Sequence, residues 1–332
     1  MQAGKIDINN LKELVLKQIS ANNKDVLVRP KIGEDSTVID FGEFVAVMST
    51  DPITGVQEGM GSLAVNVACN DIAANGAKPI GIQEVLLVPP ETTEEEVIAI
   101  IKDINQAAQD LGIDILGGHT EVTYIVSKPL VSCTAIGKTK KESYITSSGA
   151  KVGDDIVVTK WAGLEGTAIL ATDYCQKLLN LGVDAELLQA GQALIEDLSV
   201  IPEGLIGAEL KVNAMHDVTE GGLYGALYEL TEAAEVGFEV EEEKIPLHPA
   251  TKAIAKVLEI IPYQLIGSGM MLLTTEQGKE LVEELKQNNI EATIIGKITS
   301  EGRVIINTGE KARLTAAPQD ELWKFLANNH DA

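Results

Sequence analysis

An α+β protein of two domains is what this sequence predicts, on three observations. The chain has 332 residues, too many for one small core. Helical and strand patterns are mixed in both halves, without a long regular βαβα alternation. Between the halves, residues 138–153 gather Lys138, Lys140, Lys141 and Lys151 around Ser147, Ser148 and Gly149, the composition of a boundary. The expected domains are 1–147 and 148–332.

The elements follow in order. Residues 10–19 predict a helix, with Asn10 as cap, Glu13 three places on, and Leu11, Leu14, Val15 and Ile19 sharing a face. Strands are expected near 36–40 and 43–49, joined at Phe41-Gly42. Residues 61–75 read as a largely buried helix, and Gln83–Val88 as a strand ended by Pro89-Pro90. The clearest helix is 93–111. Thr93 and Glu96 make a capping box, Val97, Ile100, Ile101, Ile104, Ala108 and Leu111 recur at helical spacing, and Gly112 suits the end. Strands near 113–116 and 130–137 complete this half. The second half predicts strands near 155–159, 264–274, 291–297 and 303–307, with helices near 164–180, 185–198, 221–234 and 276–288. No short solenoid-type repeat is present.

Composition narrows the function. With 26 basic against 50 acidic residues, the formal charge of −24 argues against a nucleic acid or an anionic membrane as main partner. A small phosphate ligand remains open, because bound Mg²⁺ reverses the local field. The Glu runs at 94–96 and 241–243 read as solvated surface. Hydrophobic residues are 45% and aromatics 4%, so the cores must be mostly Ile, Leu, Val and Ala. Cys69, Cys133 and Cys175 form no CxxC pair and read as reduced, buried thiols. No segment resembles a signal peptide or approaches the roughly 20 apolar residues that span a bilayer. A soluble, cytoplasmic protein is expected.

Five segments carry chemistry: GEDSTVID (33–40), MSTDPI (48–53), NDIAANGAKP (70–79), LGGHTEV (116–122) and HDVTEGGLYGALYEL (216–230). Hard cations such as Mg²⁺ take oxygen ligands from scattered carboxylates, and glycine beside them lets backbone N–H groups approach an anion. The series reads as a Mg–nucleotide site built from several loops. Asp35 and Asp51 sit at the edges of predicted strands, though each alone is more commonly a turn or cap residue. Asp71 interrupts an apolar helix, where burial demands a metal or an ion pair, and we favour metal. Gly117, Gly118, His119 and Glu121 offer close approach and a ligand or base; a tight turn with a hydrogen-bonded His competes. Thr219, Gly221 and Gly222 open a helix whose N-terminus can receive an anion, against Thr219 as an ordinary cap. Gly163-Leu164-Glu165-Gly166-Thr167 is weak evidence by itself, and Gly59-Met60-Gly61-Ser62 matches no phosphate-loop fingerprint. His248 and His330 read as loop residues without metal-ligand spacing.

Taken in order, these segments resemble the AIR synthase superfamily, which includes the HypE type, thiamine-monophosphate kinase and selenophosphate synthetase. The resemblance spans roughly residues 5–310. It is nearest to the HypE type through GSLAVNVACNDIAANGAKP, TKWAGLEGTAILA, AMHDVTEGGL and GSGMMLL. It implies a homodimer whose N-terminal sheets pair into a barrel, a C-terminal domain closing the cleft, and ATP bound through Mg²⁺. An acyl or similar oxygen would be phosphorylated. By motif, Asp35, Asp51 and Asp71 correspond to metal ligands, Asn70 to the partner of Asp71 in the ND motif, and Asp217 to the second-domain acid. Lys5 resembles a phosphate-contacting lysine, and His119 replaces a metal-binding Asp. With Lys5, His119 and Glu121 fill the catalytic roles, and Asn70, Gly117, Gly118, Asp217, Thr219, Gly221 and Gly222 the nucleotide-binding ones. A maturation protein is an expected partner. HypE-type dehydratases carry their substrate on a C-terminal cysteine, whereas the last cysteine here is Cys175. The reactive Cys or selenocysteine of selenophosphate synthetases is also missing beside Lys5. The substrate therefore stays open, with a non-catalytic nucleotide-binding protein and a thiamine-monophosphate-type kinase as alternatives.

Overall fold

The computed structural model describes residues 4–20, 22–53 and 59–329. It begins with α1 (Ile8–Asn10), capped by the Asp7 carboxylate on the N–H groups of Asn9 and Asn10. The chain then widens into a π-turn over Leu11–Val15 and tightens into a 3₁₀ turn over Leu16–Gln18. The expected helix at 10–19 therefore starts earlier, on a different cap, and is not a regular α-helix. Its apolar stripe lacks a core to pack on: Leu14, Val15 and Ile19 are 54%, 40% and 48% exposed.

The first half continues as β1 (Val26–Val28), β2 (Thr37–Phe41), β3 (Phe44–Ile53), α2 (Met60–Ala74), β4 (Lys78–Val88), α3 (Glu94–Asp110), β5 (Asp114–Val122) and β6 (Leu130–Lys140). The strands order as β1-β2-β3-β6-β4-β5, with β4 and β5 parallel and the other neighbours antiparallel. The capping box of Thr93 and Glu96 forms as expected. Strand β4 starts five residues before the expected one. The expected strand at 113–116 runs on to Val122, so the GGHTE segment is edge strand rather than a turn. Helices α2 and α3 cover one face of the sheet, burying Val38, Val47, Leu63, Ile72, Ile82, Leu86, Ile104 and Val131. Outside that core Phe44, Ile80, Val85, Leu116 and Val122 are exposed. The sheet stays open in the single chain; no closed barrel forms among the described residues.

After a short turn at Ser147–Gly149, the second half holds β7 (Asp155–Thr159), α4 (Leu164–Asp173), α5 (Cys175–Asn180), α6 (Ala185–Ala193), α7 (Ile201–Glu209), β8 (Ala214–Val218), α8 (Gly222–Ala234) and β9 (Gly237–Glu241). Then come α9 (Pro249–Leu258), β10 (Met270–Thr275), α10 (Gly278–Gln287), β11 (Ala292–Thr299), β12 (Arg303–Asn307), β13 (Glu310–Arg313) and α11 (Glu321–Ala327). The seven strands order as β13-β12-β9-β11-β7-β10-β8. The helix expected at 164–180 breaks at Tyr174, and the one at 185–198 gives way to a 3₁₀ turn after Ala193. The strand expected at 264–274 begins only at Met270. Cys69 and Cys133 are buried, but Cys175 is only partly so. His248 caps α9 through its ring nitrogen, and His330 lies outside the described residues. No helix among the described residues is long and apolar enough to cross a membrane.

The two halves share packing. Leu164, Ala168, Leu194 and Leu198 join the core of the first sheet. Asn70 adds a polar clamp: fully buried on α2, it donates to Leu198 O at 2.8 Å and accepts from Val200 N–H at 2.8 Å. Both capacities of the amide that matter to a ligand are thus engaged by backbone. Asn70→Ala should strand two buried backbone groups and cost roughly 2–4 kcal/mol. Urea unfolding checks this; an unchanged midpoint and slope would remove the clamp from the account.

Candidate metal and nucleotide site

Asp35 sits in the turn just before β2. The preceding Gly33 has φ +77°, and a Cβ there would lie 2.5 Å from Glu229 O, so glycine lets the turn rest directly on α8. Glu34 ties the same turn to Ser148, whose N–H donates to its carboxylate at 3.0 Å. Asp51 stands within β3, not at its end, because that strand continues to Ile53. Asp71 is buried on α2, and Asp217 is buried in β8 immediately after His216. The fold thus brings together acids from a turn, two strands and a helix.

Ser49 Oγ is central to the first-half acids. It contacts an Asp71 carboxylate oxygen, Asp51 Oδ2 at 3.2 Å and the carbonyl of Asp35 at 3.2 Å. A single hydroxyl proton cannot serve all three. Neither carboxylate oxygen of the buried Asp217 has a hydrogen-bond partner. Burial, then the charges of Asp217, Asp51 and Asp35, push the Asp71 carboxyl well above the usual carboxylate range. Burial and Asp35 likewise push Asp217 up to about 6, although His216 pulls the other way.

Opposite charge enters from one side. His216 Nδ1 lies 3.2 Å from Asp35 Oδ2, and Nε2 lies 3.3 Å from Glu229 Oε2. Burial alone would lower its pKa, but Asp35 and Glu229 outweigh this and hold it at about 9. Lys5 Nζ lies 3.0 Å from Glu229 Oε1 and 3.9 Å from Asp35 Oδ1. Burial acts to raise the Glu229 pKa, yet Lys5 and His216 together bring it down to about 2.

Asp35, His216 and Asp217 offer atoms within 4.8 Å of one another, a spacing that suits a metal ion. Both nitrogens of His216 are turned to carboxylates, so the oxygen donors Asp35, Asp217 and Asp71, with Asp51 close by, are the fitting set for a hard cation such as Mg²⁺. The unpartnered oxygens of Asp217 make the fit a physical one. They are buried acceptors with no donor among the described residues other than a protonated Asp71.

Other expected residues stand elsewhere. His119 and Glu121 lie on the edge strand β5, 65% and 53% exposed, and their 3.2 Å contact is with each other. Gly117 and Gly118 are strand residues. A Cβ on Gly118 would be 2.0 Å from Glu84 O, so its glycine serves β4–β5 packing, and Gly117 sits at a bulge in that pairing. At the α8 start, Gly221 is the cap with φ 86°, so the alternative of Thr219 as cap does not hold. Thr219 gives its carbonyl to Gly222 N–H at 3.1 Å. The Gly221 N–H donates to Asp320 Oδ2 at 2.6 Å. The anion at that helix end is the chain's own carboxylate. Sequence reasoning missed Glu229, Ser49 and Asp320; the one available signal was an acid in the otherwise apolar face of GLYGALYEL.

The described geometry can now be set beside known proteins. The AIR synthase related protein N-terminal domain matches residues 33–139, and its C-terminal domain matches residues 151–308. The chain belongs to the AIR synthase related family. Among family relatives, a Methanocaldococcus jannaschii protein named for hydrogenase expression and formation is 29% identical over 328 residues, covering 95% of this chain and 94% of that protein. The carbamoyl dehydratase HypE of Bradyrhizobium diazoefficiens is 27% identical over 249 residues, covering 72% and 69%. HypE in a HypE–HypF complex superposes with a TM-score of 0.76 at 22% identity, over 92% of this chain and 99% of that one. HypE in complex with ATP gives 0.70 at 17% identity, over 96% and 94%. These superpositions show the AIR synthase-like fold.

The acid cluster generates a pH prediction. A carboxyl whose folded pKa is raised contributes stability that is lost as pH climbs through that pKa. For Asp217 the loss runs from its ordinary 3.8 to about 6, and Asp71, also pushed well above the ordinary 3.8, loses stability in the same direction. In chelator, Asp71→Asn should therefore be more stable than wild type near neutral pH, with the gap closing toward acid. Urea titrations across that range check it. A variant less stable at neutral pH would show that Asp71 is adequately compensated without a cation.

Proposed function

We propose that this chain is a Mg²⁺-dependent, ATP-using enzyme of the HypE type that phosphorylates an oxygen of a small substrate or a carried acyl group. The observation that carries this reading is the convergence of Asp35, Asp51, Asp71 and Asp217, with Asp217 buried among other acids and short of donors among the described residues. His216 and Lys5 face the cluster only from its Asp35 side, and Mg²⁺ bound with a nucleotide would supply the positive charge that the other acids need. Phosphoryl transfer depends chiefly on positioning and charge neutralisation, and Lys5 stands where a phosphate could use it. ATP binding is supported by the likeness to ATP-bound HypE and to a ThiL structure complexed with AMPPCP and TMP, a TM-score 0.71 match. The dehydratase relatives support an enzyme, and the HypE–HypF complex supports a maturation-protein partner.

In this reading residues 1–147 hold metal and nucleotide and make the dimer, while 148–332 close the cleft, in a cytoplasmic protein. The open sheet face and the uncovered β5 edge support a homodimer, since exposed edges invite pairing. His119 and Glu121 then belong to that open edge rather than to the acid cluster of their own chain. Light scattering at micromolar concentration should give about twice 35.4 kDa. A single-chain mass would contradict the dimer.

Titration of Mg–AMPPCP into the protein tests the site, and Asp217→Asn should weaken binding at least about tenfold because it removes an unpartnered charge. Unchanged affinity would reject the acids as the metal site. ADP release stimulated by a carbamoylated peptide supports the dehydratase class, and release stimulated by thiamine monophosphate supports the kinase alternative. Tight binding without turnover on either would favour a non-catalytic nucleotide-binding protein.

A further inference from the structure

Glu229 is not one of the clustered acids, yet it touches both cations beside them. It lies in the middle of α8 with its side chain 10% exposed. Oε1 accepts from Lys5 Nζ at 3.0 Å, and Oε2 lies 3.2 Å from Lys5 Nζ and 3.3 Å from His216 Nε2. The other nitrogen of His216 faces Asp35. One carboxylate therefore fixes a ring that fixes Asp35, and also fixes the amine that stands 3.9 Å from Asp35. Among the described residues, the other fastenings of this segment are few. Its segment is short, irregular and poorly buried, and polar groups fasten it to α8 and the turn before that helix: the Lys5 N–H on Glu220, and Lys12 on Glu232 at 2.7 Å.

We infer that Glu229 is a positioning residue for the metal–nucleotide site, setting Lys5 and the His216 ring in register with Asp35. This rests on the reading above that the site takes Mg–nucleotide. Glu229 itself would touch neither metal nor phosphate. A glutamate suits the task because an ionised carboxylate only accepts, and its two oxygens can serve two donors at once. Glutamine would keep the shape while losing the charge, and its amide nitrogen would face one of the two cations.

A purely structural role makes a different forecast. If Glu229 merely anchors residues 4–12, then loosening the other anchor, Lys12–Glu232, should do the same harm as losing Lys5.

The test measures Mg–AMPPCP affinity for Lys5→Met, Glu229→Gln, their double variant and Lys12→Met, alongside hydrogen–deuterium exchange of residues 4–12 without nucleotide. Lys5→Met and Glu229→Gln should each weaken affinity about tenfold, and the double variant about tenfold rather than a hundredfold, because the two residues act as one unit. Lys12→Met should stay within about twofold, as an exposed ion pair away from the acids would. Exchange over residues 4–12 should rise in Glu229→Gln. A hundredfold loss in the double variant, a Lys12→Met loss equal to that of Lys5→Met, or unchanged exchange in Glu229→Gln would each overturn the inference. Should Glu229→Gln not fold, the contrast between Lys5→Met and Lys12→Met decides. Wild-type protein that fails to bind Mg–AMPPCP would sink the proposed function instead, and the exchange comparison would still judge the docking of Lys5.

Discussion

The constraint on which this structure turns is electrostatic: buried carboxylates that repel one another are held together by a scaffold that cannot relax. Like charges in a low-dielectric setting either take up protons or find a counter-ion. Asp71 and Asp217 are pushed toward the first course. Much of the surrounding structure exists to prevent escape. Gly33 seats the Asp35 turn on α8, Glu34 ties it to the 147–149 turn, and Ser49 bridges three of the strand, turn and helix groups. Strain of this type is characteristic of sites whose function supplies what the resting protein lacks.

The acids are divided between the halves, so the site depends on their docking. Asp35, Asp51 and Asp71 come from the first sheet and its covering helix, and Asp217 from the edge strand of the second sheet. Asn70, one residue from Asp71, clamps α2 to the backbone at Leu198 and Val200. Side chains from 164–198 then close the first core over that clamp. A residue expected to bind nucleotide thus secures the interface that makes the site possible.

What the sequence disclosed, and what it hid, follows from the range of each interaction. The α3 capping box and its helical stripe were legible because both are local, and the structure keeps them. Asp35 and Asp71 were legible because charge beside glycine or inside an apolar helix is a local anomaly. Glu229 was nearly silent, because its meaning lies in Lys5, 224 residues away. The GGHTE segment misled for the opposite reason. Two glycines look like a turn, but here the partner strand's backbone requires one of them to lack a Cβ and a bulge accommodates the other. The N-terminal stripe misled because periodicity states that a face is apolar, not that anything covers it.

The division of the carboxylates also has a kinetic consequence. Each half can form its own sheet before Asp217 meets Asp35 and Asp71, since hydrogen-bonded neighbours within each sheet come from its own half. The repulsion that Asp217 contributes is added when the halves close on each other. The barrier that Asp217 adds therefore belongs to a late docking step, and a cation held at the proposed site would accelerate that step.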